Sequence, residues 1–197
     1  MPNMTIRSNV AQIKRIMERE QKSQLPFATA RALTWTGRDA REEVGKRIDK
    51  AFDRPTRFTK SAAASQPATR NKMFSRVLIK DAQARYLGIQ EEGGTRRPQG
   101  RALVVPFNVR LNQYGNLPRG GVRRLLARPD TFSGAIRSVG GIWQRQRGGG
   151  VKLLIAYEQQ AKYQPIFEFK KTVERVAQEK FPDNFERSFR QAMETAR

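Results

Sequence analysis

The chain has 197 residues, with 39 lysines and arginines against 18 aspartates and glutamates, a formal charge of +21. It holds no cysteine and no histidine, which excludes disulfides, thiolate or imidazole zinc sites, cysteine nucleophiles and Ser-His-Asp triads. The charge is far above the roughly 2 to 8 that solubility asks of a small domain, so it points to a negative partner: nucleic acid, an anionic membrane or an acidic protein.

Residues 1–8 carry no apolar signal core, and no stretch is apolar enough to predict a membrane span. Residues 5–23 predict an amphipathic helix: Ile6, Val10, Ile13 and Met17 recur at helical spacing among Lys14, Arg15, Glu18 and Arg19. Pro26 suits the first turn of a second helix, which would bury Ala30, Leu33, Val44, Ile48 and Phe52 and end at Asp53-Arg54-Pro55. Phe58–Ser65 and Met73–Lys80 follow as strands, then Asp81–Glu92 as a short helix or an extended turn stopped by Gly93-Gly94.

Residues 95–150 are broken by glycine and proline, and only Ala102–Val105 and Gly141–Gln146 fit strands there. Val151–Tyr157 predicts a strand, with Leu153 and Ile155 on one face continued by Val151 and Tyr157. A C-terminal helical region opens at Pro165. Its apolar stripe runs through Phe169, Val173, Val176 and Ala177, and then Phe185, Phe189, Ala192 and Met193, with a kink or restart at Pro182. The fold class is therefore α+β: N-terminal helices, a small mainly antiparallel sheet with long glycine- and arginine-rich loops, and a long C-terminal helix. The expected organisation is a helical arm over 1–25 and one α+β domain over 26–197, with a basic loop insertion at about 95–150.

Half of the charge has an address. Residues 95–150 hold eleven arginines, no lysine and the single acid Asp130, a net +10. Outside this segment the reading is of cations mixed with glutamates, as on solvated helices. Guanidinium forks onto phosphate or carboxylate, and glycine lets backbone approach closely. The candidate contacts to nucleic acid or to a protein interface are Arg96, Arg97, Arg101, Arg119, Arg123, Arg124, Arg128, Arg145 and Arg147. Phosphate contact without base readout and pairing with acids across an interface fit each of them equally.

Little else carries chemistry. Gly148-Gly149-Gly150 is a weak phosphate cradle because no helix starts behind it. Glu91-Glu92, and Asp183 with Glu186, are the nearest acid clusters, and no spacing promotes a pair to acid–base catalysis. Tyr114 and Trp143 could stack on bases, although packing is the commoner role. No catalytic, cofactor-binding or metal-ligating residue is assigned.

Four stretches carry a resemblance. Ala84-Arg85-Tyr86-Leu87-Gly88-Ile89-Gln90-Glu91-Glu92-Gly93-Gly94-Thr95 resembles the tyrosine–glutamate–glycine-threonine turn of phage tail-completion and neck proteins. Pro165-Ile166-Phe167-Glu168-Phe169, followed by a helix through Phe181-Pro182 and Phe185 to Met193, resembles the ending of the lambdoid minor tail protein Z-like family. Ala28-Thr29-Ala30-Arg31-Ala32-Leu33 is similar to that family's N-terminal small-residue helix, and Leu111 to Gly120 is similar to uncharacterised prophage proteins of the same group. The segment 96–150 is longer and richer in arginine than the family core.

The resemblance implies a structural subunit, not an enzyme, with no cofactor. It would form a homo-oligomeric, hexameric ring between head connector and tail tube. Its partners would be itself, the adjacent neck or connector and tail terminator or tail tube proteins, and passing double-stranded DNA held without sequence preference. No membrane is implied, and the location would be the virion tail or neck, after assembly in the bacterial host cytoplasm. The alternative is a basic, sequence-nonspecific nucleic-acid-binding protein; a carboxylate nuclease is a third reading.

Overall fold

Proline does not split the N-terminal helix. In the computed structural model, which describes the backbone of residues 10–195 and side chains from residue 24 onward, one helix, α1, runs over Val10–Ala51 with Pro26 inside it. The two expected helices are thus one. Proline disfavours helix before it and removes one N–H, but neither effect forbids continuation. Ile6 and the side chains of Val10, Ile13, Lys14, Arg15, Met17, Glu18 and Arg19 lie outside the described residues. The remaining elements are α2 (Arg57–Lys60), β1 (Ala63–Gln66), β2 (Arg76–Ile79), α3 (Asp81–Glu92), β3 (Gly94–Arg96), β4 (Leu103–Pro106), α4 (Gly121–Leu126), β5 (Thr131–Ile136), β6 (Val139–Arg145), β7 (Val151–Glu158), β8 (Ala161–Tyr163) and α5 (Phe169–Glu194). The α+β class with a long C-terminal helix stands.

The chain folds as two units. The first comprises residues 1–47, 61–80 and 169–197. Within it α1 and α5 run antiparallel, as the side-chain bonds between them show: Ser188 Oγ donates to the Ala28 carbonyl at 2.8 Å, Asn184 Nδ2 to Thr36 Oγ1 at 3.2 Å, and Arg175 pairs with Glu43 at 3.2 Å. The buried rows recur every four residues. On α1 they are Ala28, Ala32, Thr36, Ala40 and Val44; on α5, Val176, Asn184, Ser188 and Ala192. Rows of this spacing are the ridges by which helices interlock, and small residues in them let two axes approach. The expected α5 stripe is therefore corrected. Val176 and Ala192 belong to the seam, but Phe185 and Phe189 sit half-buried on its flank and Met193 is exposed. Hydrogen-bonding Asn184 and Ser188 take the buried places a hydrophobic pattern gives to phenylalanine. Pro182 lies inside α5 without ending it.

The second unit comprises residues 48–60 and 81–168. Its main sheet is antiparallel throughout, in the order β4-β7-β6-β5. Ile142, Trp143, Leu154, Ile155 and Ala156 form its buried centre. Consecutive residues 154–156 are all buried, so β7 is covered on both faces rather than on the one that alternation predicted. Four features were not foreseen: β5, α4, and the pair β3-β8. Gly134 and Ser133 hide β5 from a hydrophobicity reading, yet it pairs with β6 over its whole length, from Thr131↔Gln144 to Ile136↔Val139. The segment 95–150 is thus more regular than a loop insertion. Phe58 falls in α2, so the expected strand from it begins only at Ala63.

The two strongest resemblance-bearing stretches meet in this unit. The Gln90 carbonyl accepts from the Ile166 and Phe167 amides at 2.9 and 3.0 Å. Gly93, at φ +71°, lies where a Cβ would come within 3.0 Å of Pro165. Tyr86 Oη shares a 3.0 Å bond with Thr59 Oγ1, and Phe167 is buried with its ring 5.8 Å from that of Phe52.

Candidate polyanion interface

All nine candidate arginines are exposed. Arg96 ends β3, Arg97 and Arg101 follow it, and Arg119 precedes α4, which carries Arg123 and Arg124. Arg145 ends β6 and lies 4.6 Å from the centre of the Phe132 ring. Arg147 sits in the β6–β7 turn, where Gln146 N bonds to the Gly150 carbonyl at 3.1 Å and Gly149 and Gly150 take φ near +85° and +82°. The glycine run therefore closes a hairpin rather than cradling phosphate.

Asp130, the one acid of the segment, is spent internally. Arg128 grips it with two bonds of 3.0 and 2.7 Å, and Gln144 Nε2 donates at 2.7 Å. Those donors, Arg128 first, hold its carboxyl below the usual aspartate range. The side chains of Arg96, Arg97, Arg101, Arg119, Arg123 and Arg147 make no hydrogen bond or ion pair among the described residues. They are open to an external anion.

The structure gathers only some candidates. Arg124 and Arg128 converge on a cleft of about 290 Å³, joined by Arg110, which is outside the candidate nine. Leu117, Leu125 and Leu154 give that cleft an apolar floor. Arg124 is steadied by a 3.2 Å bond to the Arg119 carbonyl. The other seven candidates do not line that cleft.

A second cleft, of about 510 Å³, joins Tyr114 and Gln113 to Arg54, Arg57 and Lys60. Asn112 Oδ1 accepts from the Tyr114 and Asn116 amides, both at 3.0 Å, which fixes that loop. Arg54 and Lys60 each have an acid, Asp53 at 2.9 Å and Asp49 at 2.7 Å. Trp143 is buried and donates Nε1–H to the Gly134 carbonyl at 3.2 Å, so it packs the sheet and offers no face to a base. Glu91 and Glu92 end α3, Asp183 and Glu186 lie on α5, and no group of three metal-ligating side chains occurs among the described residues.

These cations correct the reading that charge outside 95–150 is simply mixed with glutamate. Residues 54–80 hold seven lysines and arginines and no acid at all. A running charge count would have found the stretch; attention to arginine and glycine alone passes over it because three of the seven are lysine. No family model, no curated protein and no solved structure matches the chain. No helix among the described residues is long and apolar enough to cross a membrane.

Proposed function

We propose that this protein is a structural virion protein of a tailed bacteriophage: a tail-completion or neck subunit that forms a hexameric ring at the head–tail junction, completes the tail and lets genomic DNA pass. The observation that carries the reading is the arginine segment. Eleven guanidiniums are exposed on one unit, and their single local acid is already paired. Exposed cations on strand ends and loops, with Trp143 buried in the sheet, fit sequence-blind contact with phosphates better than base readout.

The resemblance supports the same reading in a structural way. Its turn at 84–95 and its proline cluster at 165–169 are far apart in sequence but bond to one another, as two parts of one family scaffold would. In this role the residues act by charge and shape, no step of covalent chemistry is required, and the neighbours are other neck and tail proteins. Chain repulsion at +21 is lowered when DNA or acidic neighbours are present.

Sizing with a DNA-duplex titration tests this reading. The expected result is a ring-sized assembly that binds duplexes of unrelated sequence alike and releases them steeply with salt. A monomer forming a tight complex with one particular RNA would overturn it in favour of a nucleic-acid-binding module.

A further inference from the structure

The first unit carries a cation site that the arginine segment has no part in. Phe27, Arg31 and Trp35 are spaced by four on α1 and share one side of the helix. The Arg31 guanidinium lies 5.1 Å from each ring centre. Arg70 lies 5.3 Å from the Phe27 ring and Arg187, from α5, 4.2 Å from that of Trp35. The result is a run Arg70–Phe27–Arg31–Trp35–Arg187 assembled from three separate parts of the chain.

Each member is held. Arg31 donates Nε–H to Ser188 Oγ at 2.9 Å and a terminal N–H to the Ser188 carbonyl at 2.6 Å. Arg187 donates to Asn184 Oδ1 at 3.2 Å. Arg70 sits in a tight turn closed by reciprocal Thr69–Lys72 backbone bonds of 2.9 Å, and the Ala68 amide ties that turn to Thr34 Oγ1 at 3.1 Å.

Beside this run lies a cleft of about 400 Å³ whose walls include Phe27, Trp35 and Ala68, with Arg31, Arg38 and Arg70 and no acid. Arg38 and Arg70 have no ion pair among the described residues. The nearest acids on α1 are engaged: Asp39 accepts from Asn184 at 2.8 Å and Glu42 pairs with Lys46 at 3.3 Å. Three guanidiniums around an apolar-walled cleft repel one another and call for an anion with some apolar surface.

The choice of occupant follows from charge and shape. A second copy carries 39 cations against 18 acids, so an acidic neighbour is the better source of a carboxylate-rich segment for this cleft. Both rings already have cations over them, so nucleobases have little to stack on. A DNA duplex is too broad to enter and would meet only the rim. We propose that the cleft receives an acidic peptide segment of a neighbouring protein, its carboxylates forked by Arg38 and Arg70 and an adjoining apolar side chain seated against Ala30 and Ala68. This names a partner class for the ring reading, but it needs no ring to hold.

The test is fluorescence anisotropy on the full chain with a labelled peptide of alternating glutamate and leucine, its glutamine counterpart, and a short labelled duplex. The acidic peptide should bind at least about ten-fold tighter than the glutamine peptide, and the pair Arg38→Gln with Arg70→Gln should remove about ten-fold of that affinity. The pair Arg96→Gln with Arg97→Gln should leave it unchanged. Peptide should also alter tryptophan emission in the unmodified chain and not in Trp35→Phe, a readout that does not depend on the arginine variants folding. Equal binding of both peptides, or loss of duplex rather than peptide binding in Arg38→Gln with Arg70→Gln, overturns the proposal. A monomer on sizing with peptide binding intact would count against the ring reading alone.

Discussion

At Gly141 the backbone leaves no place for a side chain. A Cβ there would land on the Ile155 carbonyl oxygen of the paired strand and press on Leu153. A carbonyl in a sheet ladder cannot swing aside. Gly141→Ala should therefore cost about 1–3 kcal/mol, read as a lower denaturation midpoint with an unchanged slope. The arginines make the opposite prediction. The side chains of Arg119 and Arg123 make no hydrogen bond or ion pair among the described residues, and Arg124 makes one exposed bond. Replacing all three with alanine should leave the melting curve where it was. Duplex binding should weaken, with the salt slope falling by about 0.9 for each arginine that touches a phosphate. Failure of that variant to fold would make these residues packing partners. Asp130 adds a pH dependence. Its folded pKa is depressed, so its bond to Arg128 stabilises above the unfolded aspartate value of about 3.9 and is lost as pH falls through the lower folded value. Local exchange protection at the α4–β5 junction should be constant from neutral pH down to about 5 and fall only in strong acid.

Among the elements, the β5–β6 hairpin is closed by Arg137 and Ser138, which take φ of 49° and 69°. Two consecutive left-handed residues make the tight turn that matches strand twist, and glycine normally takes the second place. Ser138→Gly should stabilise by about 1 kcal/mol, measured by thermal unfolding. The α1–α5 seam is the other decisive element. Ser188 is fully buried, donates to Ala28 and accepts from Arg31. Ser188→Ala should cost about 1–3 kcal/mol, because Arg31 Nε–H and the Ala28 carbonyl lose that partner together. Helix or strand was legible for α5 and β7, and α1 was legible as helix but divided in two at Pro26. Neither was legible for β5 and α4, whose serine, glycine and arginine content reads as loop. Backbone pairing, not side-chain hydrophobicity, makes β5 a strand.

On the scale of the whole molecule, the charge falls into two acid-poor stretches, 54–80 and 95–150, set on a frame whose helices pair their own ions. Those surface pairs are worth little each. The acid-poor stretches lack even that compensation, so association with an anion is the physical expectation for each. The sequence alone established the absence of cysteine and histidine chemistry and, through its local periods, the α+β class; its charge sets only the expectation of an anionic partner. The sequence also located the eleven arginines. Which arginines converge was decided only in three dimensions. Arg110 joins Arg124 and Arg128 through the fold of α4 beside the main sheet, and Arg70, Arg31 and Arg187 meet across α1, a turn and α5. Such clusters join residues from 18 positions apart, Arg110 and Arg128, to more than a hundred and fifty, Arg31 and Arg187, and no local pattern encodes a distance between them. The same holds for the polar seam of α5: a period of four marks a face, but only the partner helix determines that serine and asparagine, rather than phenylalanine, are the residues it buries.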